Sequence, residues 1–168
     1  VIEQMLPAAR QRGVCSACDI FVDEMAFSIE EARAMCQAAK QLGFAIRLHV
    51  DQFSDTGGAQ LAAEMGALNA DHLDHVSDEG IRAMARAGVV GVVLPGAAFF
   101  TGGRHYPSAR KMIDVGLTVA IASDYNPGTN PCLNLWLAAT IAVTQMGLTA
   151  DEALRGITIN AARALGVG

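Results

Sequence analysis

The sequence has 168 residues, of which 52% are hydrophobic and 17% charged, and this composition predicts one globular domain. The net charge is −5 and no long cluster of lysine and arginine occurs, which argues against nucleic acid or an anionic membrane surface as a partner. The longest apolar run, residues 87–100, is shorter than the ~18 residues that a membrane span requires. Because Glu3, Arg10 and Arg12 lie near the start, we do not expect a signal peptide. The absence of an initiator Met indicates a fragment.

Four cysteines occur in the sequence. Cys15 and Cys18 form a C-x-x-C pair, whereas Cys36 and Cys132 stand alone. A zinc ribbon needs a second such pair, and a thioredoxin-type pair would open a helix, whereas a strand-like segment follows Cys18. We therefore interpret the cysteines as small, mostly buried, reduced side chains of a cytoplasmic protein.

In chain order, short apolar segments typical of strands alternate with amphipathic segments typical of helices. The predicted strands are residues 17–22, 44–49, 70–73, 89–94 and 117–123. Nearly continuous apolar strands, each followed by a helix, predict an α/β fold with a parallel sheet. Two architectures fit, a doubly wound open sheet and part of a (β/α)8 barrel. No G-x-G-x-x-G follows the first strand, so a dinucleotide-binding unit is unsupported.

The helices between the strands have recognisable start and stop signals. Ser28 with Glu31 and Thr149 with Glu152 form capping boxes, and Ser77 is a third N-cap residue. The predicted helices end at or near glycine and occupy residues 28–43, 56–66, 77–88, 107–116, 131–147 and 149–166. We expect residues 94–100 to turn sharply at Pro95-Gly96 and to place apolar walls beside a ligand.

Three polar residues lie at the ends of three predicted strands. His49, His72 and Asp124 end the second, third and fifth strands, and the carboxyl ends of parallel strands carry the functional groups of α/β folds. Imidazole nitrogens and a carboxylate oxygen are ligands that a catalytic Zn²⁺ or Fe²⁺ takes. The spacing therefore favours a metal-dependent hydrolase site. The alternative for each residue is structural, because a strand-end histidine is often a core residue and an aspartate often forms a turn.

The turn after Asp124 offers groups that could bind a carboxylate. Asn126 has a side-chain amide, Gly128 lets a backbone N–H approach closely, and Thr129 has a hydroxyl. The alternative is a turn formed by N-P-G-T without any ligand. His75 and His105 lie in loops, where we expect solvated groups or groups at the fringe of a substrate site rather than metal ligands.

Four segments together resemble the imidazolonepropionase family, amidohydrolases of histidine degradation. These segments are "LHVDQFSDTGGAQLAAEMGALNADHLDH", "VVLPGAAFF", "IASDYNPGTNP" and "ITINAARALG". The resemblance runs in order over nearly the whole chain and is weakest before about residue 17. It implies a partial (β/α)8 TIM barrel, with the five strands as barrel strands four to eight and residues 1–168 as a single partial domain. It also implies a homodimer in the complete protein.

The resemblance implies a metal-dependent, ring-opening hydrolysis of 4-imidazolone-5-propanoate to N-formiminoglutamate. His49 is similar to the metal ligand of the fifth barrel strand, and Asp124 to that of the eighth. His72 is similar to the sixth-strand histidine that polarises the substrate. The turn residues Asn126, Gly128 and Thr129 are similar to those that bind the propanoate carboxylate.

Two features depart from the family pattern. The H-x-H metal-ligand pair of the first barrel strand is missing, which fits a chain without its upstream strands and small β domain. Gln52 stands where many members carry glutamate, and an amide cannot act as a general base. We therefore expect Asp124 to take the proton of a water activated by one Zn²⁺ or iron ion (Fe²⁺ or Fe³⁺). His72 would stabilise the developing oxyanion, and Gln52 would orient the substrate ring.

Two other functions remain open on the sequence. One is another amidohydrolase, such as a deaminase of a cyclic amidine, for which replacing Asn126 and Thr129 should have little effect. The other is a non-catalytic α/β binding module, for which Asp124→Asn should change no turnover.

Overall fold

The computed structural model describes residues 1–167. Within them, five strands form one parallel sheet: β1 (Ala17–Val22), β2 (Ala45–Val50), β3 (Asn69–His72), β4 (Val90–Val93) and β5 (Val119–Ile121). Each strand lies near its predicted position, and β4 and β5 are shorter at both ends than predicted. The short apolar runs therefore correctly indicated an α/β fold.

The order of the strands decides between the two architectures. The sheet runs β1-β2-β3-β4-β5 in sequence order, and every neighbouring pair is parallel. A doubly wound sheet reverses its strand order at a switch point, and no reversal occurs among the described strands. A uniform sequential order is the wall of a (β/α)8 barrel, so the partial barrel is the correct alternative.

Helices cover one face of the sheet and part of the other. The described residues contain nine of them: α1 (Met5–Arg12), α2 (Ile29–Gln41), α3 (Gly58–Met65), α4 (Asp78–Ala87), α5 (Pro95–Phe100), α6 (Ala109–Asp114), α7 (Leu135–Met146), α8 (Ala150–Gly156) and α9 (Ile159–Leu165). The capping boxes of Ser28 with Glu31 and of Thr149 with Glu152 are confirmed. Ser77 also caps α4 by accepting a hydrogen bond from the backbone N–H of Gly80.

The two faces of the sheet differ in chemistry because side chains alternate along each strand. In β2, Ile46, Leu48 and Val50 are buried in the main hydrophobic core with the helices. Arg47 and His49 lie on the opposite, half-buried face. The Arg47 guanidinium donates to the backbone carbonyls at the end of α9 and to Asn69 Oδ1, each at 3.0 Å. This second face therefore carries the polar groups, and α9 covers part of it.

Two segments differ from the sequence-based prediction. Residues 95–100 form α5 rather than a turn, because Pro95 at the first helical position has its φ preset for a helix. Gly96 has no side chain where the buried Asn130 amide packs against it. The predicted final helix is two helices, α8 and α9, because the chain bends at Thr158 with φ −126° and ψ −94°. The helix α1 was not predicted.

The cysteine prediction is wrong in one respect. Only Cys36 is buried, while Cys18 and Cys132 are half-buried and Cys15 is exposed. Cys15 lies in the connection before β1, outside the alternation that buries one face of the strand.

Among residues 1–167, no helix combines the length and the apolar character that spanning a membrane demands.

Candidate active site

The candidate residues follow three strands at one end of the sheet. His72 is the last residue of β3, His49 is the penultimate residue of β2, and Asp124 follows β5 by three residues. His72 and Asp124 have positive φ angles of 74° and 52°. Left-handed backbone is uncommon outside glycine and concentrates at functional sites. The chain therefore leaves regular strand geometry at His72 and Asp124, whereas His49 keeps it within β2.

One ring nitrogen of His49 lies near two carboxylates that were not predicted, and one of them is a hydrogen-bond partner. Its Nδ1 lies 2.9 Å from Asp19 Oδ1 and 3.6 Å from Asp71 Oδ2. The hydrogen bond to Asp19 raises the pKa of His49, although burial acts in the opposite direction. Burial raises the pKa of Asp71 to about 6, and the nearby His49 partly offsets this effect.

His72 is a buried, neutral histidine next to His49. The two ring centroids are 5.4 Å apart, and only 4% of His72 is exposed. Burial, followed by the charge of His49, lowers the pKa of His72 to about 4. Its Nδ1 is buried without a hydrogen-bond partner among the described residues, because Asp74 Oδ2 is 3.9 Å away. This nitrogen is therefore an unpaired polar atom inside the protein.

Asp124 is joined to the turn that follows it. Thr129 Oγ1 donates to Asp124 Oδ2 at 3.2 Å. Burial raises the pKa of Asp124, while the hydrogen bond from Thr129 and the charge of His49 lower it. The charge of Asp124 in turn contributes to the raised pKa of His49. Asp124 and His49 are therefore close enough to interact electrostatically across the sheet.

The turn itself is closed by the Asn126 side chain. Asn126 Oδ1 accepts from the backbone N–H groups of Gly128 and Thr129, at 2.9 and 2.7 Å. Its Nδ2 donates to the Asp124 carbonyl and to Thr129 Oγ1, both at 2.8 Å. These bonds fix the turn, and they occupy the groups that were predicted to bind a carboxylate.

Gln52 lies in a cleft shared with Thr129. The cleft has a volume of about 240 Å³, and His75, Arg104 and His105 also line it. The prediction that His75 and His105 lie in solvent-exposed loops is confirmed. Their rings stack with centroids 4.5 Å apart.

The described residues can supply the donors that a transition metal requires. One group of potential ligands, formed by Asp19, His49 and Asp71, has its atoms within 4.8 Å of one another. Asp124, whose charge interacts with that of His49, is a further carboxylate near this ring. Imidazole and carboxylate donors suit zinc and iron, so the chemistry of these residues fits such an ion.

Sequence reasoning missed three aspartates around the candidate residues. Asp19 and Asp23 are spaced four residues apart in the segment of β1, so alternation places both on the face opposite Ile20 and Val22. Asp71 is paired with His49 in the register of β2 and β3. The signal that could have found Asp19 and Asp23 was their four-residue spacing in "CDIFVD", because an even spacing keeps two side chains on one face of an extended strand.

Comparisons with known proteins identify the family of the chain. A family model described as the amidohydrolase family matches residues 22–168. The imidazolonepropionase of Paracidovorax citrulli is 47% identical over 167 residues, covering 99% of this chain and 40% of the relative. That of Symbiobacterium thermophilum is 46% identical over 168 residues, with similar coverage of 99% and 40%. The chain thus spans about 40% of the length of these curated relatives.

Solved structures with low sequence identity share the fold. A crystal structure of an adenosine deaminase from Xanthomonas campestris with bound zinc matches with a TM-score of 0.76 at 19% identity, covering 97% of this chain and 43% of that one. A Xaa-Pro dipeptidase with bound methionine matches with a TM-score of 0.75 at 20% identity, with 96% and 47% covered. The resemblance to imidazolonepropionase is confirmed by the curated relatives, and the partial barrel by these structures. With a family model matched from residue 22 to the end of the sequence, the chain belongs to the amidohydrolase family.

Proposed function

We propose that the chain is part of a hydrolase of the imidazolonepropionase type. The observation that carries the proposal is the convergence of His49, His72 and Asp124 from three strands at one end of the sheet. The reaction adds water across the ring amide of 4-imidazolone-5-propanoate, breaks a C–N bond and gives N-formiminoglutamate. The 47% identity to a curated imidazolonepropionase supports this choice of substrate.

One Zn²⁺ or iron ion (Fe²⁺ or Fe³⁺) would be held by His49 and Asp124. The remaining ligands would be an H-x-H pair, which does not occur in residues 1–168, from another part of a longer protein. When bound, such an ion supplies a Lewis acid that lowers the pKa of water toward neutrality.

Asp124 would accept the proton of the attacking water. Its partial burial raises its pKa, which makes it a better proton acceptor than a fully solvated carboxylate. His72, neutral because its pKa is lowered to about 4, would donate an N–H hydrogen bond to the ring carbonyl oxygen as negative charge develops there. The side-chain amide of Gln52 would donate a hydrogen bond to the substrate ring, or accept one from it, and so orient the ring.

The propanoate carboxylate would bind at the turn of Asn126, Gly128 and Thr129. Because the N–H groups of Gly128 and Thr129 already donate to Asn126 Oδ1, one of them must exchange that oxygen for the substrate carboxylate. The fixed turn limits the conformational entropy lost in this exchange.

The remaining parts of the proposal concern the whole protein. Residues 1–168 would form a single partial barrel domain of a cytoplasmic homodimer that binds a small-molecule substrate and neither nucleic acid nor membrane. The coverage of about 40% of the curated relatives supports the view that further strands complete the barrel.

The test uses the full-length, metal-loaded protein with 4-imidazolone-5-propanoate. We expect loss of the substrate and appearance of N-formiminoglutamate by mass spectrometry, without release of ammonia. Ammonia release from a cyclic amidine, with no hydrolysis of the imidazolone, would identify a deaminase instead. No turnover of either compound would favour a binding module.

A further inference from the structure

We propose that Asp19 is a positioning residue that fixes the tautomer of His49. By accepting a hydrogen bond from Nδ1–H, Asp19 leaves the lone pair on Nε2 for the metal ion. The inference rests on the proposed role of His49 as a ligand, and it assigns a task to an aspartate outside the predicted site.

The geometry separates Asp19 from the other carboxylate near this ring. Asp19 Oδ1 lies 2.9 Å from Nδ1, within hydrogen-bond distance, whereas Asp71 Oδ2 lies at 3.6 Å, beyond it. The other oxygen of Asp71, Oδ1, accepts a hydrogen bond from the Asn69 side-chain amide at 2.5 Å, and Asn69 Oδ1 accepts one from Arg47. Asp71 is therefore engaged along β3, and Asp19 is the direct partner of the imidazole.

The strand register explains how β1 can reach His49. Phe21 is paired with His49 across β1 and β2, and Asp19 lies two residues earlier on the same face of β1. The side chain of Asp19 needs only to lean along the strand to reach Nδ1. A residue of one barrel strand thus sets the orientation of a candidate ligand on the next.

The chemistry of neutral imidazole makes this contact matter. Only one ring nitrogen carries a proton, and an ionised carboxylate can only accept hydrogen bonds. A carboxylate at Nδ1 therefore selects the tautomer with Nδ1–H and with an available Nε2. Partners of this kind contribute about 10- to 100-fold to metal affinity.

An alternative use of the same residues is direct ligation. The atoms of Asp19, His49 and Asp71 lie within 4.8 Å of one another, so an ion could sit between them and bind Nδ1. In that arrangement Asp19 and Asp71 would both be ligands, and Asp124 would not. The two arrangements predict different effects of substitution.

The experiment measures zinc affinity of the full-length protein by competition with a chelator. We expect Asp19→Ala to weaken zinc binding by about 10- to 100-fold, and Asp19→Asn, which keeps an acceptor oxygen, to weaken it much less. Asp124→Asn should weaken binding more than either. Glu24→Gln, which alters an exposed carboxylate just after β1, is the matched control.

A second readout is the tautomer itself, measured by NMR on metal-free protein with ¹⁵N-labelled histidine. We expect the Nδ1–H form of His49 in the native protein and a shift toward Nε2–H in Asp19→Ala. The proposal is overturned if Asp19→Ala changes neither the affinity nor the tautomer. It is also overturned if Asp19→Asn and Asp71→Asn abolish zinc binding while Asp124→Asn does not. If zinc binding depends on Asp19 but no imidazolone is hydrolysed, the proposed reaction fails and the positioning role stands.

Discussion

Asp23 accepts a hydrogen bond from the backbone N–H of Gln52 at 3.0 Å, and the same carboxylate oxygen accepts one from Phe53 at 2.9 Å. Its other oxygen accepts from Ser54 Oγ at 2.9 Å and from the N–H of Glu24 at 2.8 Å. Asp23 is only 3% exposed. The loop that carries Gln52 after β2 is therefore fixed by a carboxylate that follows β1.

The first prediction is that Asp23→Ala destabilises the protein by about 2–3 kcal/mol, because the donors of the loop lose hydrogen bonds to a charged acceptor. Urea unfolding measures this change, and hydrogen exchange at the Gln52 and Phe53 amides should accelerate. Burial alone would raise the pKa of Asp23, but its hydrogen bonds lower it below the ordinary value. The contribution of Asp23 to the free energy of unfolding is therefore fully present above the unfolded-state pKa. It is lost as the pH falls through the lower folded-state pKa.

The matched control for this prediction is Asp55→Ala. Asp55 lies in the same loop but is exposed and accepts only a 3.4 Å hydrogen bond from Gly57. We expect a change within about 0.5 kcal/mol. Equal destabilisation by the two variants would show that Asp23 does not fix the loop.

The second prediction concerns the amide at position 52. Gln52→Ala should lower kcat/KM for 4-imidazolone-5-propanoate by about 3- to 10-fold, the effect of one lost hydrogen bond. Gln52→Glu should retain turnover and add a limb to the pH–rate profile, because it adds a group that titrates. Full activity in Gln52→Ala would show that Gln52 does not contribute to binding or orienting the substrate.

The third prediction is a loss of stability in acid caused by His72. Because its pKa is lowered to about 4 in the folded state from about 6.5 unfolded, the unfolded chain binds more protons between these values. Stability is then lost as pH falls below the unfolded pKa, by about 2 kcal/mol between pH 7 and pH 5. Urea unfolding of the metal-free protein should show this slope.

In the His72→Asn variant, the loss of unfolding free energy between pH 7 and pH 5 should be smaller than in the native protein by about 2 kcal/mol. Asp71 and Asp74, whose pKa values burial raises to about 6 and about 7, act in the opposite direction. They are present in both proteins, so the comparison isolates His72. Parallel pH profiles for the two proteins would contradict the buried, neutral state of His72.

The fourth prediction links Thr129 to the candidate base. Thr129→Val keeps the shape of the side chain but removes the hydroxyl that donates to Asp124. Since that bond lowers the pKa of Asp124, its loss should move the acidic limb of the kcat/KM profile to higher pH. Thr129→Ser, which keeps a hydroxyl, should leave the limb in place. If the acidic limb of the kcat/KM profile does not shift in Thr129→Val, Thr129 does not influence the proton acceptor.

The main elements of the fold could be predicted because their signals are local. The apolar run of β2 and the capping box at Ser28 need only neighbouring residues to be recognised. The strand order could not be read from the same signals, since both architectures share the β-then-α pattern. The helix at Pro95 was missed because Pro-Gly signals a turn as well as a helix start, and packing of Gly96 against Asn130 decides between them.

The candidate site was predicted only at its strand ends. His49 and His72 were found because parallel strands place their carboxyl ends together. Asp19 was missed because its partner lies 30 residues away in the sequence, and only the strand register brings them together. Asn126 was placed in the turn correctly, but its closure of the turn depends on hydrogen bonds that residue types alone do not specify.

The central claim is that Asp124 is the proton acceptor in hydrolysis of the imidazolone ring. The most direct measurement is the turnover of 4-imidazolone-5-propanoate by the full-length native protein and by Asp124→Asn, with Asp151→Asn, an exposed carboxylate of α8, as control. We predict that Asp124→Asn lowers kcat by at least about 10²- to 10⁴-fold in a protein that still folds, while the control is unaffected. Turnover by Asp124→Asn within a few-fold of the native protein would contradict the account.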